Sequence, residues 1–179
     1  TVFRFGQFFS FGNKGDVNEN DLLEYWQNCK DVIVITYYLE SFVDGEKFIK
    51  YFIDDKITKP VIVLKGGRTS SGIKAASSHT GALGSSDKVV DAILTQFGII
   101  RADDLNDMFN TAKGFEDFPT PKGNRVAVVT NAGGPAILTV DTLEKNNLAL
   151  ADLTEETKLR LKEIVHPEGS VNNPVDLLP

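Results

Sequence analysis

PVIVLKGG, Pro60 to Gly67, sets four consecutive apolar residues, Val61 to Leu64, between a proline and a pair of glycines. A strand with one solvated face alternates apolar and polar side chains. An unbroken, largely β-branched apolar run fits a strand covered on both faces, as in a parallel sheet with helices on either side. DVIVITYYLE (Asp31 to Glu40), RVAVVTNAGG (Arg125 to Gly134) and the shorter QFFSFG (Gln7 to Gly12) share that character. The expected fold class is therefore α/β with parallel sheets.

Between these runs the apolar spacing lengthens to helical intervals. NDLLEYWQNCK (Asn20 to Lys30) puts Leu22, Leu23, Trp26 and Cys29 on one face, with Asn20 as a candidate cap. GEKFIKYFIDDKI does the same with Phe48, Ile49, Phe52 and Ile53. SSDKVVDAILTQFG reads as a helix capped by Ser85 or Ser86, with Asp87 in its first turn and Gly98 at its end. DDLNDMFNTAKGF then gathers Leu105, Met108, Phe109 and Ala112. DFPTPKGN, Asp117 to Asn124, interrupts the pattern. Beyond it come a strand, a glycine loop, the helix PAILTVDTLEKNN, a short strand LALADL and the helix TEETKLRLKEIV. SVNNPVDLL near the end reads as a structured loop of no evident purpose. The expected organisation is a domain over 1–118, a linker over 119–124 and a second, truncated α/β domain over 125–179.

Composition narrows the classes of function. The chain has 179 residues, 41% of them apolar, which suffices for a buried core. A net charge of −6 argues against a nucleic-acid binder or a polybasic membrane protein. The single cysteine, Cys29, excludes an internal disulfide and any multi-cysteine metal site. No apolar run reaches the roughly 18 residues of a membrane span, and no signal peptide is evident. The expectation is a soluble cytoplasmic protein.

Five places could carry chemistry. KAASSHTGALGSSD, Lys74 to Asp87, surrounds His79, one of two histidines, with small residues and hydroxyls. Neutral imidazole, with a pKa of about 6.5, is a competent nucleophile and can form covalent intermediates. Phosphoryl transfer to it needs steric openness and donors for three oxygens, which small residues, hydroxyls and a helix N-terminus supply. The alternative is a loop histidine with a packing or hydrogen-bonding role. TNAGGPAIL (Thr130 to Leu138) brings Gly133 and Gly134 to the start of a helix, with Pro135 as its expected first residue. Such a turn admits an anion, but an ordinary tight strand-to-helix turn reads the same.

Glu40 ends the most apolar strand, on the edge where open α/β sheets bind ligands. It could hold an imidazole N–H, or it is a solvated strand-end carboxylate. Lys14, in FGNKGD, and Arg68, in LKGGRTSSG, could face an anion or merely sit in turns.

The blocks SFGNKGDVNENDLLEYW, YYLESF, PVIVLKGGRTSSGIKAASSHTGALGSSD, RVAVVTNAGGPAILTVDTLE and NPVDLL together resemble the nucleoside-diphosphate-forming acyl-CoA synthetases. That family includes ADP-forming acetate–CoA ligases and is related to succinyl-CoA synthetase. The resemblance implies two flavodoxin-like, succinyl-CoA synthetase-like domains. It also implies a reaction in which acyl-CoA and phosphate give acyl phosphate and CoA, a histidine takes the phosphoryl group, and ADP receives it. His79 matches the phosphorylated histidine and Glu40 the glutamate that supports it; Gly133 and Gly134, with Thr80 and Gly81 beside His79, match phosphate-holding positions.

The family's CoA-binding domain, its SQSG-type loop and its ATP-grasp domains find no match here, so the chain is expected to be a fragment inactive alone. CoA, ADP or ATP and Mg would belong to the full enzyme, and this fragment is expected to bind no cofactor. Its expected partners are acyl-CoA, acyl phosphate and phosphate, with CoA-binding and ATP-grasp domains or subunits in an oligomer. The other reading is a synthetase-like sensor module of a protein acyltransferase.

Overall fold

The computed structural model describes residues 5–74, 86–119 and 121–178. The chain divides into two units, Thr1–Pro119 and Thr120–Pro179. No helix among the described residues is long and apolar enough to cross a membrane.

In the first unit, β1 (Ile35–Leu39), β2 (Val61–Lys65) and β3 (Ile100–Ala102) form a parallel sheet in that order. Ile35 pairs with Val61 and Leu39 with Lys65, while Val63 pairs with Arg101. All five residues of β2 are buried, for the reason its composition announced. Val61 and Val63 enter one apolar cluster with Leu23 of α1 (Glu19–Asn28), Phe48 of α2 (Gly45–Ile53) and Val90 and Leu94 of α3 (Asp87–Gln96). Ile62 and Leu64 enter another, on the opposite face, with Met108 and Ala112 of α4 (Leu105–Asp117). The central strand is covered twice. β1 is not: Tyr37 is buried, whereas Tyr38 is 58% exposed.

The helix ends follow local chemistry. Asn18, not Asn20, caps α1: its side chain accepts from Asn20 N while Asp21 reaches back to the cap. Asn20 is fully buried and donates to the Asp44 carbonyl at 3.2 Å. Ser86 is the N-cap of α3 but makes no side-chain cap bond. Gly98 closes α3 at φ +66°, and Ile99 N then returns to Leu94 O at 2.9 Å. That left-handed turn favours glycine.

Residues 7–12 form no ladder, contrary to the strand expected there. A strand needs a neighbour as well as a suitable composition, and no described segment pairs with them. Gln7 instead accepts from the indole of Trp26 at 2.8 Å, tying the run to α1.

The second unit contains β4 (Arg125–Val126), β5 (Val129–Thr130), α5 (Gly133–Lys145), β6 (Ala149–Leu150), α6 (Glu155–Lys162) and β7 (Val175–Asp176). The single strand expected over 125–134 is split between two partners: β4 pairs with β6 and β5 with β7, both in parallel. The carbonyls of Asn124 and Val126 accept from Ala149 and Ala151; those of Val128 and Thr130 accept from Val175 and Leu177. The two pairings form separate two-stranded sheets, with residues 127 and 128 outside both.

Asn173 fills the seam. Its amide donates to Val126 O at 2.8 Å and to Ala151 O at 3.0 Å, and accepts from Val128 N at 2.9 Å. The loop left without a purpose in the sequence thus ties β4 and the end of β6 to the segment that leads into β5. Asn173→Ala strands the Val128 N–H and the Ala151 carbonyl in a half-buried place, while Val126 O keeps Ala151 N, and is expected to cost the second unit on the order of 2 kcal/mol. Urea unfolding followed by circular dichroism would show it as an earlier transition of unchanged slope.

Candidate functional site

The carboxyl ends of β1 and β2 lie side by side, and Gly66 N donates to Leu39 O at 2.8 Å to prolong the ladder. Glu40 follows β1 on the face that carries Tyr38. A Cβ on Gly66 would lie 3.3 Å from the Tyr38 hydroxyl and 3.5 Å from Glu40 Cγ, so a bare glycine lets both side chains close over the strand tip. Glu40 is half-buried, and its carboxylate has no hydrogen-bond or ion-pair partner among the described residues. It opens on a cleft of about 490 Å³ lined by Gly12, Lys14, Tyr38, Glu40, Ser41 and Phe42, among others. A carboxylate free in a cleft can accept an N–H.

Lys14 does not face that cleft as a free cation. Its ammonium lies 2.9 Å from Glu19 Oε2 and also donates to the Ser41 carbonyl. Glu19 is fully buried, and its other oxygen accepts from Val43 N at 2.6 Å. The Tyr37 phenol donates to the Glu19 carbonyl at 3.0 Å; burial, helped by the Glu19 carboxylate, pushes that phenol's pKa up. The pair Lys14–Glu19 therefore fastens the loop after β1, which carries Glu40, to the start of α1. Arg68 is also engaged, 2.6 Å from Asp103 and 3.9 Å from Asp87. The Arg68 hydrogen bond holds the Asp103 carboxyl below the usual carboxylate range.

His79, Thr80 and Gly81 lie outside the described residues. Their flanks are described: residues 70–74 are helical after the tip of β2, and Ser86 is the N-cap of α3.

In the second unit, Gly133 and Gly134 are the first two residues of α5, and Pro135 is its third residue rather than its first. Neither glycine has a left-handed φ; what they supply is space. A Cβ on Gly134 would meet nothing within 4 Å, and one on Gly133 only Asp176 Oδ2 at 4.0 Å. The cap residue Ala132 has no side-chain acceptor, and the first turn carries no acidic residue. The N-terminus of α5 is thus bare. Asp176, at the end of β7, was missed in the sequence because only the pairing of β5 with β7 brings it beside Gly133.

Lys65, the last residue of β2, was also missed. It is 4% exposed, and its ammonium donates to the Gly66 carbonyl at 2.5 Å. Burial holds it below the usual lysine range; Asp87 and Glu40 pull it back up, while Arg101 and Lys14 add to the lowering. The sequence signal was a lysine closing an otherwise wholly buried strand. Among the described residues, no group of three or more His, Cys, Asp or Glu side chains is placed to hold a metal ion.

Residues 2–115 match the model of the succinyl-CoA ligase-like flavodoxin domain. The chain belongs to that family. This domain family member is 43% identical over 176 residues to the alpha subunit of an ADP-forming acetate–CoA ligase II of Pyrococcus furiosus, a match covering 97% of this chain and 38% of that one. It is 43% identical, again over 97% of its length, to an ADP-forming 4-hydroxybutyrate–CoA ligase of Nitrosopumilus maritimus, of which it covers 25%. An acetyl-coenzyme A synthetase of Ca. Korarchaeum cryptofilum, solved in complex with phosphate and ADP, superposes with a TM-score of 0.83 at 35% identity, over 93% of this chain and 36% of that one. The chain therefore spans between a quarter and two fifths of these relatives. The flavodoxin-like, parallel α/β architecture expected from the sequence is the one found.

Proposed function

We propose that this chain is the phosphohistidine-bearing part of an NDP-forming acyl-CoA synthetase. The observation that supports this best is its 43% identity, along 97% of its length, to proteins named as ADP-forming CoA ligases. Phosphate displaces CoA from acyl-CoA, giving acyl phosphate and the thiol. An imidazole nitrogen of His79 attacks the phosphorus of acyl phosphate, the P–O bond to the acyl group breaks, and the carboxylate leaves. The phosphoryl group then passes from nitrogen to the terminal oxygen of ADP.

In this chemistry the protein's work is positioning and electrostatic stabilisation. Glu40 accepts the other N–H of the imidazole, fixing its tautomer and stabilising the cationic ring that phosphorylation creates. The bare N-terminus of α5, with Gly133 and Gly134, offers N–H groups and a partial positive charge to phosphoryl oxygens, as Thr80 and Gly81 do beside His79. CoA, ADP and its Mg would be held by other domains or subunits of the assembled enzyme, and the residues described here supply no metal site for that ion. The expected assembly is an oligomer in the cytoplasm, with residues 1–118 as the phosphohistidine domain, 119–124 as linker and 125–179 as the start of a second domain.

The test is direct. The full-length protein, incubated with acetyl-CoA and labelled phosphate, is expected to take up acid-labile, base-stable label on the peptide containing His79. Its absence there, with other acyl-CoA donors also failing, would leave the sensor reading in place.

A further inference from the structure

The face of the first sheet that carries Val63 also carries, at its carboxyl end, an imbalance of buried charge. Lys14, Lys65 and Arg101 are each at most 10% exposed, whereas Glu19, the one fully buried carboxylate among the described residues, is already taken by Lys14. Asp87 is engaged by Arg101, which also reaches Asp91 at 3.1 Å. Lys65 is left with no carboxylate within 4.0 Å among the described residues and with a backbone carbonyl for one of its three N–H groups. Beside it, Arg101 Nε is a buried N–H with no acceptor. A buried cation without a contacting counter-ion costs stability, which Asp87 and Glu40 offset here only in part, at the edge where ligands of such sheets bind.

We propose that Lys65 is the electrostatic anchor for phosphate at this strand tip, its ammonium supplying the counter-charge for the dianion handled beside Glu40 and Gly66. The inference rests on the phosphohistidine reading above and adds a residue to it. Lys65 forms no bond to phosphorus and loses no proton; it stays an ammonium and lowers the energy of the anion through a water-poor medium. Glu40 and Lys65 flank Gly66 from opposite faces, so one tip presents an acceptor for the imidazole and a positive field for the phosphoryl oxygens. Depression of the ammonium's pKa by burial agrees with a site that is incomplete until an anion arrives.

A structural lysine and an anion anchor respond in opposite ways to Lys65→Met in the full-length enzyme. Removing a buried charge that is only partly compensated is expected to leave the melting temperature equal or higher. At the same time KM for inorganic phosphate is expected to rise roughly tenfold or more, as the anion loses its buried counter-charge, with KM for acetyl-CoA within about twofold of wild type. Lys65→Arg, which keeps the charge, is expected to recover part of the phosphate KM. A phosphate KM unchanged in Lys65→Met, or a variant melting well below wild type, overturns the inference while wild-type labelling still stands. If the wild type itself takes up no label, the underlying reading fails and this inference falls with it.

Discussion

Glu19→Ala is expected to destabilise the first unit by roughly 3–5 kcal/mol, the range for breaking one side of a buried ion pair. The carboxylate is fully buried and Lys14 is 10% exposed, so the stranded ammonium cannot simply turn to water. Val43 N loses its acceptor at 2.6 Å in the same stroke. Lys14 adopts a left-handed φ of 56°, which leaves its loop with little slack for a new partner. Replacing both members, as in Lys14→Met with Glu19→Leu, is expected to recover most of the loss, since no charge is then left buried alone. The urea midpoint of each variant, compared at constant slope, measures this. A loss below about 1 kcal/mol for Glu19→Ala would mean that water already reaches the pair, contrary to the geometry. The consequence extends to the site, because Ser41 and Val43, which the pair holds, follow Glu40 directly.

These couplings mark where a linear reading stops. The apolar run of β2 announced its own double burial, since such composition has few other uses. The spacing within each helix announced the face it buries, because i, i+3 and i+4 neighbours meet whatever the rest of the chain does. Glu19 gave no such sign. In NENDLLEY it looks like a solvated acid of a first helical turn, and only a contact spanning 24 residues, to Val43, makes it a buried hub.

Residues 7–12 erred the other way, with strand composition but no neighbour. Asn173 and Asp176 acquire their roles only when β7 is laid along β5, a pairing across more than forty residues. Among the candidate positions, Glu40 at its strand end and the diglycine turn at its helix start were legible as local features, because strand ends and helix starts have local signatures. Lys65 showed only as a lysine closing an apolar run; that it lacks a carboxylate partner among the described residues is a property of the fold.

The largest functional effects are expected at His79 and Glu40, and they differ in kind. His79→Ala removes the atom that would take the phosphoryl group, so label on the chain and overall acyl-CoA turnover should both fall to background, with folding unaffected. Glu40→Gln keeps the shape and one acceptor oxygen but discards the charge that would stabilise the phosphorylated ring. An acceptor bond to a cationic partner is worth about 1.5–3 kcal/mol, so turnover should drop roughly 10- to 100-fold while label still forms, more slowly, on the same peptide.

The carboxylate's present surroundings make this test clean. It has no described hydrogen-bond partner to lose, so a slow variant cannot be blamed on a broken structural contact. Rapid-quench measurement of labelling and of label transfer to ADP would separate the two steps. Glu40→Gln within twofold of wild type in both would return Glu40 to the solvated strand-end residue it could equally have been. Label persisting in His79→Ala would move the phosphoryl group to another atom altogether.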